Sequence, residues 1–137
     1  MSQFLLDTHA GIWLVEGQSF SATAKEAFAE ATANGEDVLV SPMSAWEIGM
    51  LSARGRLRMP LTPTVWFERL LRSPGVALAD LPIHVLIASS FLPGVPPRDP
   101  ADRILLATAR EEDYVLVTRD KEVLAYAEQG HVKALAC

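Results

Sequence analysis

Five short apolar runs alternate with segments that carry helix-start signatures, and this alternation narrows the folds open to the chain. The runs are Gln3–Leu6, Val38–Val40, Val76–Ala79, Val115–Val117 and Val132–Leu135. Apolar runs this short read as strands buried on both faces, as in parallel sheets. Between them, Ala10–Val15 reads as a short helix. Ser21 caps a helix over Ala22–Ala33, which Asn34-Gly35 stops. Ser41-Pro42, Thr62-Pro63 and Asp99-Pro100 each place a capping side chain before a proline at the first helical position. The helices they open are expected to reach about Ala53, Arg72 and Glu112. Further helices are expected from Pro82 to about Phe91 and over Lys121–Glu128. Strands alternating with helices imply a three-layer α/β/α architecture around a central, mainly parallel sheet of about five short strands.

The bulk properties fit one domain over residues 1–137. Half of the residues are hydrophobic, enough for a packed core and against disorder. No apolar run approaches the roughly 20 residues of a membrane span. The opening MSQFLLDTH lacks the basic start and long apolar run of a signal peptide. A single cysteine, Cys137, excludes an internal disulfide, so a reducing cytoplasm is the expected location.

Four acids stand at the junctions of these elements: Asp7, Glu47, Asp102 and Asp120, in the stretches FLLDTH, SAWEIGM, DPADRILLATA and VLVTRD. Asp7 ends the first strand, and Asp120 follows another after Thr118-Arg119. Glu47 falls on the second turn of the helix after the second strand, and Asp102 in the first turn of its helix. In an open parallel sheet, all four lie beyond the carboxyl ends of the strands, where ligands gather. Taken singly, each has an ordinary explanation. Asp7, Asp99 and Asp120 stand at helix-capping positions, and Glu47 would suit a solvent-facing surface. Their joint placement points further, because caps have no reason to share one edge with a mid-helix glutamate. Gathered carboxylates repel, and a hard cation such as Mg²⁺ or Mn²⁺ relieves that repulsion. A carboxylate-bound ion of this kind generates a nucleophile from water at phosphate esters. Without a Cys/His ligand set, zinc is not expected.

Thr8, Ser44 and Thr118 are candidates to orient a carboxylate or a metal-bound water; local backbone bonding is the alternative. His9 lies two residues after Asp7 and is within reach of the site, whereas His84 and His131 read as ordinary helix and strand residues. The net charge of −5 runs against nucleic-acid binding. The basic residues are nevertheless grouped, and nine are arginines against three lysines. Arg54, Arg56 and Arg58 are candidates for phosphate contacts. Arg103 and Arg119 adjoin acids and are candidates to contact nucleic acid or to temper carboxylate repulsion.

Four stretches, in order, carry a family resemblance: LLDTHAGIWL, SPMSAWEIGMLSARGRL, RDPADRILLATA and LVTRD. The chain resembles PIN-domain ribonucleases, specifically the VapC toxins of bacterial type II toxin–antitoxin pairs, from residue 4 to residue 120. The resemblance implies a PIN fold and an endoribonuclease dependent on Mg²⁺ or Mn²⁺. It also implies neutralisation by a small cognate antitoxin, a homodimer, and a toxin–antitoxin hetero-oligomer. Asp7, Glu47 and Asp102 match the family's core acids, Asp120 the fourth and Asp99 an additional one. Three departures leave these acids intact. Pro93–Arg98 lacks the histidines that often precede the third stretch, Ala101 stands where phenylalanine is common, and Gly49-Met50-Leu51 replaces a stretch that often contains lysine. RNA specificity is therefore not carried over.

Other readings of the same acids are a small-molecule metal phosphatase, a phosphoacceptor receiver domain and a non-catalytic partner-binding scaffold. A nucleophilic-aspartate phosphatase wants an Asp-x-Asp arrangement, where this chain has Asp7-Thr8-His9. A receiver wants a lysine after a late strand, where this chain has Thr118-Arg119-Asp120. Trp13, Trp46, Trp66 and Phe67 are expected either to pack in the core or to line an apolar groove for an amphipathic antitoxin helix.

Overall fold

The computed structural model describes residues 3–17 and 19–137. Its sheet has five strands: β1 (Phe4–Leu6), β2 (Val38–Val40), β3 (Val76–Leu78), β4 (Val115–Thr118) and β5 (Lys133–Ala136). Every pairing is parallel, in the spatial order β3-β2-β1-β4-β5. The helices are α1 (Thr8–Glu16), α2 (Ala22–Ala33), α3 (Pro42–Ala53), α4 (Pro63–Arg72), α5 (Ile83–Ala88), α6 (Pro100–Glu112) and α7 (Lys121–Glu128). No helix among the described residues is long and apolar enough to cross a membrane.

Because successive strand residues point to opposite faces, each strand contributes to two cores. Leu5, Leu39 and Leu116 face one layer, where they meet Val85, Leu105, Leu106, Val123 and Tyr126 of α5, α6 and α7. Leu6, Val40 and Val117 face the other, with Ala10, Ile12, Ala24, Ile48, Trp66 and Leu70 of α1 to α4. Burial on both faces explains why the inner strands β1, β2 and β4 are almost wholly apolar, whereas the edge strands β3 and β5 are partly exposed.

The chain winds from β1 out to β3, then returns to place β4 on the other side of β1. Neighbouring connections therefore part company between β1 and β4, and a crevice opens beyond the carboxyl ends of these two strands.

Most expected boundaries hold, and the departures have local causes. α1 begins at Thr8 rather than Ala10 because Asp7 is its cap, accepting from the Ala10 amide at 2.7 Å. α5 stops at Ala88, short of Phe91, where Ser89 folds back to donate to the Leu86 carbonyl at 2.6 Å. The following loop is anchored by Tyr126, whose hydroxyl donates to the Pro93 carbonyl at 2.5 Å. Gly94 at φ +68° lies against His131, and a Cβ there would stand 2.7 Å from Nε2. His131 thus has a packing role, against both Gly94 and the Tyr126 ring. His84 lies on the surface beside Glu112.

Leu106 is fully buried where α6 presses on the sheet. Leu106→Ala is expected to lower the unfolding free energy by about 2–5 kcal/mol, the usual cost of a leucine-sized core cavity. Urea denaturation of the two proteins measures it.

Candidate active site

A cavity of about 370 Å³ occupies the crevice between β1 and β4. Asp7, Glu47, Asp99, Asp102 and Asp120 all line it, with Thr8, His9, Trp13, Leu105 and Arg119. Both helical layers contribute, since Glu47 comes from α3 and Asp102 from α6.

Three of the acids cap helices, and capping is also what orients them. Asp7 has both oxygens engaged: Oδ1 takes the Ala10 amide, and Oδ2 takes the Thr118 hydroxyl at 2.6 Å. Asp99 Oδ1 accepts from the Asp102 amide at 3.1 Å. Asp120 Oδ1 accepts from the amides of Glu122 at 2.9 Å and Val123 at 3.1 Å. Thr118 receives the Asp120 amide at 3.0 Å, so one buried hydroxyl links two of the acids.

Glu47 is held from β1's side. The buried Thr8 hydroxyl donates to Glu47 Oε1 and lies 3.0 Å from Ser44 Oγ. A hydroxyl carries one proton, and the charged acceptor claims it. Ser44 therefore donates to Thr8, giving a relay from Ser44 through Thr8 to Glu47. Thr8 and Thr118 thus hydrogen-bond carboxylates directly, and Ser44 stands behind Thr8.

The Asp102 carboxylate, unlike the Asp102 amide, has no hydrogen-bond or ion-pair partner among the described residues. Burial, followed by the charges of Asp99, Asp120, Glu47 and Asp7, pushes its carboxyl up to about 7. Asp7 is also raised, chiefly by burial. The Thr118 and Ala10 hydrogen bonds and the nearby His9 oppose that rise, and Asp120 adds to it. His9 therefore does reach the site.

The arginines divide. Arg119 lines the cavity, with its Cζ 4.0 Å from the centroid of the Trp13 ring and its Nη2 donating to the Ser19 carbonyl at 2.9 Å. Arg103 does not line it. Its Nε donates to the Ser89 carbonyl at 3.0 Å and fastens α6 to the end of α5, and among the described residues it forms no ion pair with the acids. Arg54, Arg56 and Arg58 are exposed in the turn after α3, roughly 10 Å or more along the helix from Glu47. They too lie outside the cavity.

The four large aromatics do not share one groove. Trp66 is buried in the core, Trp13 lines the acid cavity, and Trp46 is exposed on α3. Phe67 lines a separate groove of about 320 Å³ with Ala45, Gly49, Pro63, Thr64 and Glu68. Trp13 and Leu105 were not recognised in the sequence as cavity residues. Trp13 follows Asp7 by six positions on a helix whose facing depends on how α1 packs, which periodicity alone does not reveal. Cys137 is free and buried, and the nearby Asp7 charge helps to raise its thiol after burial itself.

The donors fit a hard divalent cation. They are all oxygen, and the group lacking a partner is the one most destabilised as an anion by its fellow acids. Hydrogen bonds behind Asp7 and Glu47 supply the outer support that metal-binding carboxylates usually have. Among the described residues, no three such side chains are already closed around one point. A bound ion would draw some carboxylates inward or be held partly through water, as Mg²⁺ commonly is.

For a carboxyl raised in the folded state, the stabilisation is complete below the unfolded value and is lost as pH rises through the folded one. The metal-free protein is therefore expected to lose thermal stability as pH climbs from about 4 past about 7, the span between Asp102's ordinary and folded values. Asp102→Asn should flatten that fall. Added Mg²⁺ or Mn²⁺ should raise the melting temperature of the wild type more on the alkaline side than on the acid side. Thermal melts across this range, with and without metal, measure all three effects.

The PIN-domain family model matches residues 4–129. The chain is 30% identical over 130 residues to Ribonuclease VapC22 of Mycobacterium tuberculosis, covering 92% of this chain and 93% of that relative. Among solved structures, DNA-bound VapBC from Salmonella typhimurium superposes with a TM-score of 0.68 at 16% identity, covering 99% and 98% of the two chains. VapBC2 from Rickettsia felis, bound to a fragment of its promoter DNA, gives 0.66 at 11% identity and 97% of each chain. FitAcB from Neisseria gonorrhoeae gives 0.53 at 19% identity, covering 97% and 96%. At these identities the structural likeness bears on the fold, and the family match and the relative's identity extend it to the sequence. With its acids at the β1/β4 crevice and a family match spanning nearly the whole chain, this protein belongs to the PIN-domain family.

Proposed function

We propose that the chain is one PIN domain acting as a VapC-type toxin, an endoribonuclease that hydrolyses RNA phosphodiester bonds with Mg²⁺ or Mn²⁺ and is neutralised by a cognate antitoxin. The observation that carries this reading is the convergence of five carboxylates, from both helical layers, in one cavity at the switch between β1 and β4. The relative named as a ribonuclease supports the reaction class. The structural neighbours solved as VapBC and FitAcB support an antitoxin partner.

In this reading Asp7, Glu47, Asp102 and Asp120 hold the ion, and Asp99 sits beside them as both cap and further ligand. The ion would supply an activated water and positive charge at the phosphate. The chain supplies the rest. Asp7 and Asp120 are fixed by helix amides and the Thr118 hydroxyl, and Glu47 by the Ser44–Thr8 relay. Charge on Asp102 is tolerated once a cation offsets the other four acids. A homodimer belongs to the same proposal. The exposed face of α5, Ile83, Leu86 and Ile87, continues into exposed Phe91 and is the apolar surface that supports it.

A small-molecule phosphatase would use the same acids, but His9 stands where a nucleophilic-aspartate phosphatase needs its second aspartate. No feature of the cavity favours that alternative.

Antitoxin-free protein is expected to cut total cellular RNA into discrete products with Mg²⁺ or Mn²⁺, and not with EDTA. Asp7→Asn should reduce cleavage at least about 100-fold, beyond the range seen when only an outer partner of a metal ligand is lost. Metal-independent cleavage, or full activity in Asp7→Asn, would remove these residues from the reaction. Thr118→Val, which deletes only the hydroxyl behind Asp7, is expected to cost about 10–100-fold in metal affinity or activity. Titrating the metal against the cleavage rate measures this loss.

A further inference from the structure

The acid cavity has one wall that the carboxylates do not explain. Among its lining residues Arg119 is the one permanently charged cation and Trp13 the one carbocyclic aromatic. The two are stacked together, with Arg119 Cζ 4.0 Å from the Trp13 ring centroid. His9 completes the wall, its ring 6.1 Å from that of Trp13 and tilted by 48°. Arg119 directly precedes Asp120, yet it forms no ion pair with any of the acids among the described residues. Its guanidinium is turned to Trp13 and to the Ser19 carbonyl at 2.9 Å.

We infer that this wall is a nucleotide subsite: Trp13, His9 and Arg119 take an unpaired base of the RNA by stacking, next to the bond that is cut. The inference rests on the ribonuclease reading above and adds the substrate feature recognised there, a base splayed out of its helix. Unstacked bases are commonly held on aromatic rings and on arginine guanidinium planes. An RNA strand entering this cavity meets five carboxylates, so phosphate contacts alone are opposed by like charge, whereas a stacked base is neutral. A guanidinium already fixed by a carbonyl and a ring loses little freedom when a base or phosphate meets it. Trp13 is only partly exposed, and its remaining surface packs with the core of α1 to α4. The ring is thereby held rigid, as a stacking platform needs.

The test separates this subsite from cleavage by measuring binding to the full chain carrying Asp7→Asn. The probes are a short oligoadenylate and a fully abasic ribose-phosphate oligomer of the same length and charge. The oligoadenylate is expected to bind about ten-fold more tightly, within the range of one stacked base. Trp13→Leu should remove that preference while leaving abasic binding unchanged, Trp13→Phe should keep most of it, and Arg119→Lys, which keeps the charge but loses the plane, should weaken it. Equal binding of the two probes by the parent protein, or an undiminished preference in both Trp13→Leu and Arg119→Lys, overturns the subsite. If Trp13→Leu does not fold, Arg119→Lys and Trp13→Phe decide by the same comparison. A Trp13-dependent base preference in a protein whose wild type cuts no RNA would sustain the subsite and overturn the nuclease reading; metal-dependent cleavage without that preference would do the reverse.

Discussion

Repulsion among carboxylates is the constraint around which the rest of this structure is arranged. Five of them share one cavity, and among the described residues none is paired with an arginine or lysine. Asp102 shows the consequence, since its carboxyl is raised to about 7 by burial and by the other four acids. Four of the five carboxylates are fixed from behind, which keeps them from turning apart; Asp102 alone is not. The fixing groups are neutral: helix amides for Asp7, Asp99 and Asp120, and hydroxyls for Asp7 and Glu47. Neutral donors orient a carboxylate without cancelling the charge that a cation needs.

Sheet order explains how residues so far apart in sequence come together. β1 is the central strand, and the chain turns back on itself between β1 and β4. Asp7 leaves one of these strands and Asp120 follows the other, so the crevice between them is bordered by acids on both sides. α3 and α6 lie in opposite layers, and each brings its acid to the crevice from its first or second turn. The same helix starts that close the backbone also direct the positive ends of their dipoles toward the site. Capping and function are therefore compatible roles for these aspartates.

Particular residues show how far the sequence could be read. The inner strands were legible because burial on both faces forces an almost unbroken apolar run. The helices of α3, α4 and α6 were legible because a capping side chain followed by proline has a local cause. Asp7, Glu47, Asp102 and Asp120 could be grouped because each stood at a carboxyl-end junction of an alternating fold. Arg103 could not be placed because adjacency in sequence says nothing about direction: next to Asp102, its Nε donates to the Ser89 carbonyl. The aromatics, left open between core and groove, could not be assigned singly for the same reason. Trp66 faces the core, Trp13 the acid cavity and Trp46 the outside, although all three lie on helices.

By itself the sequence determined the class of fold, the positions of the helix caps and the set of acids, since each depends on interactions within a few residues or on hydrophobic period. The tertiary structure decided which strand sits at the centre, which hydroxyl stands behind which carboxylate, and which arginine meets the cavity. Thr118 reaches Asp7 across 111 positions and Arg119 reaches Ser19 across 100. Contacts of that span arise only when strands pair and layers pack, because side-chain direction is set by the neighbours that a folded chain supplies.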